Sequence, residues 1–288
     1  MSSAVFRFQQ LDVFSAEAFL GNPLAVVHGA DELSWVDMAS FARWTNLSET
    51  TFLLRPTSPE ADYRVRIFTP GGELPFAGHP TLGSAYSWLA AGGQPRSAGQ
   101  IVQECGVGLV RIRRDGERLA FAAPPLRRSG LLDEQTLMII AAGLRIPRSE
   151  IVMHQWVDNG PGWCAVMLRS AEQVLALQPD MVMLSELKLG VIGPYPDGAD
   201  ARYEVRAFVP GLGVAEDPVT GSLNAGLGVW LIKTGVAPPK FTVSQGSALK
   251  RRGRLYIERF GDDIWVGGDV ALRIDGTVRW DGHGTSLN

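Results

Sequence analysis

The sequence predicts an α+β protein built of two like halves, each a sheet wrapped about one buried helix. Two observations carry this. Val65-Arg66-Ile67-Phe68-Thr69-Pro70-Gly71 returns as Val205-Arg206-Ala207-Phe208-Val209-Pro210-Gly211 at an offset of 140 residues. In each copy a strand-like run leads through a Gly/Pro-rich loop into an apolar helix. The first such helix carries Leu82, Ala85, Tyr86, Trp88, Leu89 and Ala90 on more than one face, and a helix apolar most of the way round belongs in an interior.

Further pairs extend the repeat. Pro80, Gly83 and Ser84 match Pro218, Gly221 and Ser222 at an offset of 138, and Trp88-Leu89 matches Trp230-Leu231 at 142. Gly106 falls on Gly246, Leu109 on Leu249, and Arg118-Leu119 on Arg254-Leu255. The interval is too long for a solenoid, so duplication is the reading. This alignment sets His79 opposite Asp217, and Glu49 opposite Leu189, leaving that carboxylate without a counterpart.

In chain order, Phe6 to Phe14 is rich in β-formers and predicts a first strand; Gly21-Asn22-Pro23 is a turn before a second, Leu24 to Val27. Ser34-Trp35-Val36-Asp37 has capping-box spacing, and Trp35, Met38, Phe41 and Ala42 share a helical face that runs to about Thr45. Asn46 to Glu49 is a polar break before a strand from Thr50 to Arg55. A strand ending at Phe68, the glycine-rich loop and a helix from Pro80 to about Ala91 follow. Gln100 to Val110 and Arg111 to Ala122 read as a closing pair of strands, with Asp115-Gly116 as a hairpin turn. Ala123-Pro124-Pro125 ends the first half, which sets domains at 1–126 and 127–288, and the strand near Val270 to Ile274 is a candidate to cross back.

Composition narrows the function classes. With 288 residues, 45% hydrophobic and 20% charged, the chain is of globular type with room for two cores. A net charge of −3 gives no basic face for phosphates, which argues against nucleic acid; Lys250-Arg251-Arg252 with Arg254 reads as a solvated hairpin. Met1 to Arg7 lacks the order of a signal peptide, and no apolar run nears membrane length, so the cytoplasm is the expected compartment and no membrane partner is expected. Cys105 and Cys164 stand far apart and form neither a disulfide framework nor a metal cluster.

The candidate chemistry lies in the repeated loops. Unpaired amides at a helix start favour an anion, and Gly78 and Gly221 let a ligand approach the backbone, with Ser222 adding a hydroxyl; the same glycines also serve plain tight turns. Glu49 is either a solvated loop carboxylate or, held against apolar surface, an acid/base with a raised pKa. His79 can orient a ligand, hold a proton or bond its own loop. Asp217 before Pro218 fits a helix N-cap, a role compatible with ligand binding. There is no Gly-x-Ser-x-Gly elbow, Walker loop or His-Glu-x-x-His, and Gly211-Leu212-Gly213 lacks the third glycine of a dinucleotide fingerprint. No cofactor and no metal is implied.

Taken together, Asp12-Val13-Phe14 with Gly21-Asn22-Pro23-Leu24-Ala25-Val26-Val27, Asn46 to Phe52, Phe68-Thr69-Pro70 with Glu73 to Thr81, and Glu216 to Ser222 resemble the PhzF (phenazine biosynthesis) family over essentially the whole chain. The resemblance implies a diaminopimelate-epimerase-like fold: two pseudo-symmetric halves, each a curled, mostly antiparallel sheet round a central helix, with the site in the cleft between them. It implies a cofactor-independent isomerase that moves a proton, and with it a double bond, in a small carboxylated substrate, as the isomerase of trans-2,3-dihydro-3-hydroxyanthranilate does. Carried over by motif, Glu49 is the acid/base, His79 and Asp217 flank the substrate, and Ser48, Gly78, Gly221 and Ser222 hold its carboxylate. A homodimer is implied as well. The related racemases use a cysteine from each half; the glycine-rich motifs here contain none. An epimerase or racemase working through carboxylate and histidine, and a small-anion binding protein without chemistry, are the rival readings.

Overall fold

A computed structural model describes residues 3–281. The first series of elements is β1 (Ser3–Val13), β2 (Asn22–Val27), α1 (Trp35–Thr45), β3 (Glu49–Leu54), β4 (Tyr63–Thr69), β5 (Gly72–Leu74), α2 (Gly78–Ala90), β6 (Gln100–Cys105), β7 (Gly108–Asp115) and β8 (Arg118–Ala122). There follow α3 (Glu134–Leu144), β9 (Met153–Trp156), β10 (Trp163–Met167), α4 (Ala171–Ala176), β11 (Lys188–Pro194), β12 (Tyr203–Phe208), β13 (Glu216–Asp217), α5 (Gly221–Lys233), β14 (Lys240–Gln245), β15 (Gly253–Phe260), β16 (Asp263–Gly268) and β17 (Val270–Asp281).

Strand pairing repeats between the two series. β2 runs parallel to β3, β3 antiparallel to β4, β4 antiparallel to β5 and parallel to β6, and β6-β7-β8 form a meander. β10 to β16 reproduce each of these relations in order. Two antiparallel seams join the halves: β8 pairs with β16, and β17 returns along the whole of β1, as the sequence anticipates near Val270.

Each wrapped helix is explained by its sequence. α5 is buried from Gly221 through Ile232, and α2 presents Leu82 and Ala85 to the same apolar core. A fully buried leucine or phenylalanine contributes roughly 1.5–3 kcal/mol, and Phe14, Phe76, Phe121 and Leu82 are all inaccessible to solvent. Outside this core, α1 begins at Ser34 with the expected capping box: the Ser34 hydroxyl accepts from the Asp37 N–H at 3.2 Å, and the Asp37 carboxylate accepts from the Ser34 N–H at 3.1 Å.

The details of the repeat differ from the sequence alignment. The closing pair of strands is three strands, because Cys105 pairs with Gly108 around a second turn that precedes the expected one at Gly116. Arg118 and Arg254 therefore lie on non-equivalent strands, β8 and β15. A more consequential shift lies between β12 and β13. The ion pair Arg66–Glu73 on β4 and β5 recurs as Arg206–Glu216 on β12 and β13, but the partners are 7 residues apart in the first and 10 in the second. That longer loop moves Asp217 onto the place of Leu74, both lying across from equivalent residues, Ala207 and Ile67. Counted from the helix starts at Gly78 and Gly221, His79 corresponds to Ser222 and not to Asp217.

Candidate active site

The starts of β3, α2 and α5 and the end of β13 meet between the halves. Glu49 is the first residue of β3, a strand buried along its length. Asp217 closes the two-residue β13. α2 and α5 come together at their N-termini, where Gly78 lies against Gly221. A Cβ on Gly78 would stand 2.4 Å from the Gly221 Cα, and one on Gly221 would stand 2.7 Å from the Gly78 Cα. The contact between two helices, and not a ligand's approach, is what demands glycine at both positions.

Asn22 ties the group together. Its Nδ2 donates to Asp217 Oδ1 at 2.9 Å and to the Val219 carbonyl at 2.9 Å, and stands 3.2 Å from His79 Nδ1. With Nδ2 as a donor, His79 Nδ1 must face it with a lone pair, so the ring proton sits on Nε2. That nitrogen points at Glu49 Oε2, 3.4 Å away. Among the described residues neither atom has a hydrogen-bond partner, and the separation leaves a weak interaction that a ligand can tighten.

Burial sets the protonation states. Glu49 is 9% exposed, so desolvation, aided by the charge of Asp217, pushes its carboxyl well above the usual range. Desolvation lifts Asp217 to about 6, although hydrogen bonds from Thr220, Asn22 and Ser48 pull the other way. The Thr220 hydroxyl donates to Asp217 Oδ2 at 2.6 Å and accepts from Gln245 Nε2 at 2.8 Å. His79, buried without a counter-charge strong enough to hold its proton, is lowered to about 3 and is neutral near pH 7. The result is two carboxyl groups of raised pKa beside a neutral imidazole N–H, a set able to remove and return protons near neutrality.

A cleft opens onto this group. Ser48, Glu49, Asp217 and Ser222 line it, while Leu74, Phe76 and Trp163 supply apolar wall. His79 stands behind Glu49, and Gly78 and Gly221 are withdrawn into the helix contact. The Ser222 hydroxyl accepts from Trp163 Nε1 at 3.0 Å, which leaves its own proton to donate. Thus Glu49 is buried and not a solvated loop residue. Asp217 is not the helix cap: Thr220 holds that position, and Asp217 belongs to β13.

Sequence reasoning passed over Asn22, Thr220, Gln245, Trp163 and Lys188. Asn22 sits in Gly21-Asn22-Pro23, where asparagine already has a turn to explain it, and the others carry no local signal. Among the described residues, no three His, Cys, Asp or Glu side chains gather as a metal site requires, and no helix is long and apolar enough to cross a membrane.

Comparison with known proteins gives a consistent picture. Residues 11–276 match the model of the PhzC-PhzF family, described as phenazine biosynthesis-like protein. The chain is 37% identical to antisense-enhancing sequence 1 of Schizosaccharomyces pombe, over 94% of this chain and 95% of that one. It is 34% identical to the trans-2,3-dihydro-3-hydroxyanthranilate isomerase of Pseudomonas aeruginosa, over 88% of this chain and 91% of that enzyme. Among solved structures, a predicted epimerase from Pseudomonas aeruginosa superposes with a TM-score of 0.77 at 27% identity, covering 95% of this chain and 99% of the other.

Proposed function

From the membership of this chain in the PhzC-PhzF, phenazine biosynthesis-like family, we propose that it is an isomerase that moves a proton, and so a double bond, in a small carboxylated substrate without a cofactor. The observation that carries the reading is the Glu49–His79 pair, a buried carboxyl of raised pKa facing a neutral imidazole N–H at 3.4 Å.

In this reading Glu49, as carboxylate, takes a proton from carbon, and its raised pKa makes it a stronger base than an exposed glutamate. Held as an acid for a moment, it returns the proton to another carbon of the same face. His79 keeps its own proton and steadies the Glu49 carboxylate through Nε2–H. Asp217, protonated below about pH 6, faces the substrate from the other half. The free proton of the Ser222 hydroxyl and the amides at the starts of α2 and α5 hold the substrate carboxylate, while Ser48, whose hydroxyl bonds Asp217, must turn from it to join them. Such positioned acid/base groups contribute roughly 10²–10⁴ in rate.

Offering trans-2,3-dihydro-3-hydroxyanthranilate and following the product by NMR tests the reading: a shifted double bond supports it. Unchanged substrate in the presence of demonstrable binding would assign the chain a different substrate. The likeness to a predicted epimerase favours a second reading, epimerisation of an amino or hydroxy acid by the same carboxylates. Loss of optical rotation with no change of constitution would select it.

A further inference from the structure

Lys188 occupies in the second half the position that Glu49 occupies in the first. Thr50 pairs with Phe68 on β4, and Leu189 pairs with Phe208 on β12. Phe68 and Phe208 are equivalent, each lying across from the glutamate of the repeated Arg–Glu ion pair. The residue before Thr50 is Glu49, and the residue before Leu189 is Lys188. The parallel neighbours agree, with Leu24 beside Glu49 and Trp163 beside Lys188. The sequence alignment is one residue out of register here and sets Leu189 in this place.

Both side chains line the same cleft. The cleft therefore carries a carboxyl contributed by one half and an ammonium contributed at the matching place by the other. Lys188 is half-buried, and its Nζ donates to the Pro161 carbonyl. Among the described residues no carboxylate stands within ion-pair distance of it. Asp158 is the anion it feels, and Asp158 Oδ1 already accepts the N–H groups of Gly160 and Gly162 at 2.7 Å. An ammonium has three protons to donate, so two remain. Burial without an adjacent counter-ion lowers the Lys188 pKa, and an anionic ligand group would reverse that.

We propose that the substrate carries two acidic groups, one carboxylate held at Ser222 and the helix starts and a second anionic oxygen group held by Lys188. This rests on the cleft being the substrate site, as inferred above, and it narrows the native substrate to a small dianion, for which trans-2,3-dihydro-3-hydroxyanthranilate, with its single carboxylate, serves as a surrogate that leaves the Lys188 position unfilled. The competing role for Lys188 is a strap that fixes residues 158–162 to β11 through Pro161.

Isophthalate and 3-carbamoylbenzoate separate the two roles, since they share a shape and a first carboxylate but differ by one charge. Titration calorimetry is run on the wild type, Lys188→Gln and Lys188→Arg. The expected result is at least about tenfold tighter binding of isophthalate by the wild type. In Lys188→Gln that preference falls to within about twofold with 3-carbamoylbenzoate affinity unchanged, and Lys188→Arg restores it. Equal affinities in the wild type, a preference that survives in Lys188→Gln, or parallel weakening of both ligands in that variant would each overturn the proposal while leaving the cleft as the ligand site. Failure of the wild type to bind either compound would overturn the proposal and the cleft reading together.

Discussion

Replacing Asn22 by leucine tests how the site is held. The side chain is of similar size but has no donor, so Asp217 Oδ1 and the Val219 carbonyl, each now bonded at 2.9 Å, lose their partner in a buried place. An orphaned buried acceptor costs about 1–3 kcal/mol, which gives about 2–6 kcal/mol for the two. At about 2 °C per kcal/mol for a chain of this size, the melting temperature falls by about 4–12 °C. The chemistry shifts too. The Asn22 bond is one of those that hold the Asp217 pKa down to about 6, and a hydrogen bond to a charged group is worth about 1.5–3 kcal/mol. Its loss therefore raises that pKa. The direction for stability follows: Asp217 is raised from 3.8, so the native state binds its proton more tightly than the unfolded chain does. Its contribution is present below about pH 3.8 and is lost as pH rises through about 6. In Asn22→Leu the loss continues to higher pH. Calorimetry from pH 4 to 8, the acid limb of kcat/KM, and the ¹⁵N shifts of His79 read the three effects. Wild-type shifts with the proton on Nδ1, or an acid limb that stays in place while stability falls, would refute the assignment of Asn22 as the positioning residue.

Glu49→Gln should lower kcat by roughly 10²–10⁴ and raise the melting temperature at alkaline pH, the gain vanishing below about pH 4.5, because the native state no longer holds a buried carboxylate; equal gains at pH 4 and pH 9 would contradict this. Gly78→Ala and Gly221→Ala each drive a methyl into the opposing helix start and should cost about 1–3 kcal/mol or more, with loss of ligand affinity measured by calorimetry. Unfolding in urea should separate the repeated ion pairs. Glu216→Gln breaks a buried bidentate pair, at about 3–5 kcal/mol, whereas Glu73→Gln, at the partly exposed equivalent, should cost about 1 kcal/mol or less. Similar losses for both would show that burial is not what distinguishes them.

Local signals made much of the molecule legible. The capping box at Ser34 placed the start of α1, and the apolar faces of α2 placed it inside a sheet, which the repeat extended to α5. The motifs around Glu49, His79 and Asp217 named groups that do converge. What the sequence could not show was register. A loop longer in one half than in the other hid the equivalence of Asp217 with Leu74, and a one-residue slip gave Glu49 a leucine counterpart in place of Lys188. Nor does a linear reading show which side chains reach a site from elsewhere. Asn22 touches Asp217 across 195 positions of sequence, and Trp163 reaches Ser222 across 59. Such contacts depend on strand order, which residue type alone does not encode.

Proton transfer at carbon by Glu49 is tested most directly by NMR in D2O, with trans-2,3-dihydro-3-hydroxyanthranilate offered to the wild type and to Glu49→Gln. Deuterium is expected at a ring carbon of the product from the wild type and none from the variant, with both proteins folded and both binding the ligand. Deuterium appearing at the same rate with Glu49→Gln would contradict it and pass the proton-carrying role to Asp217.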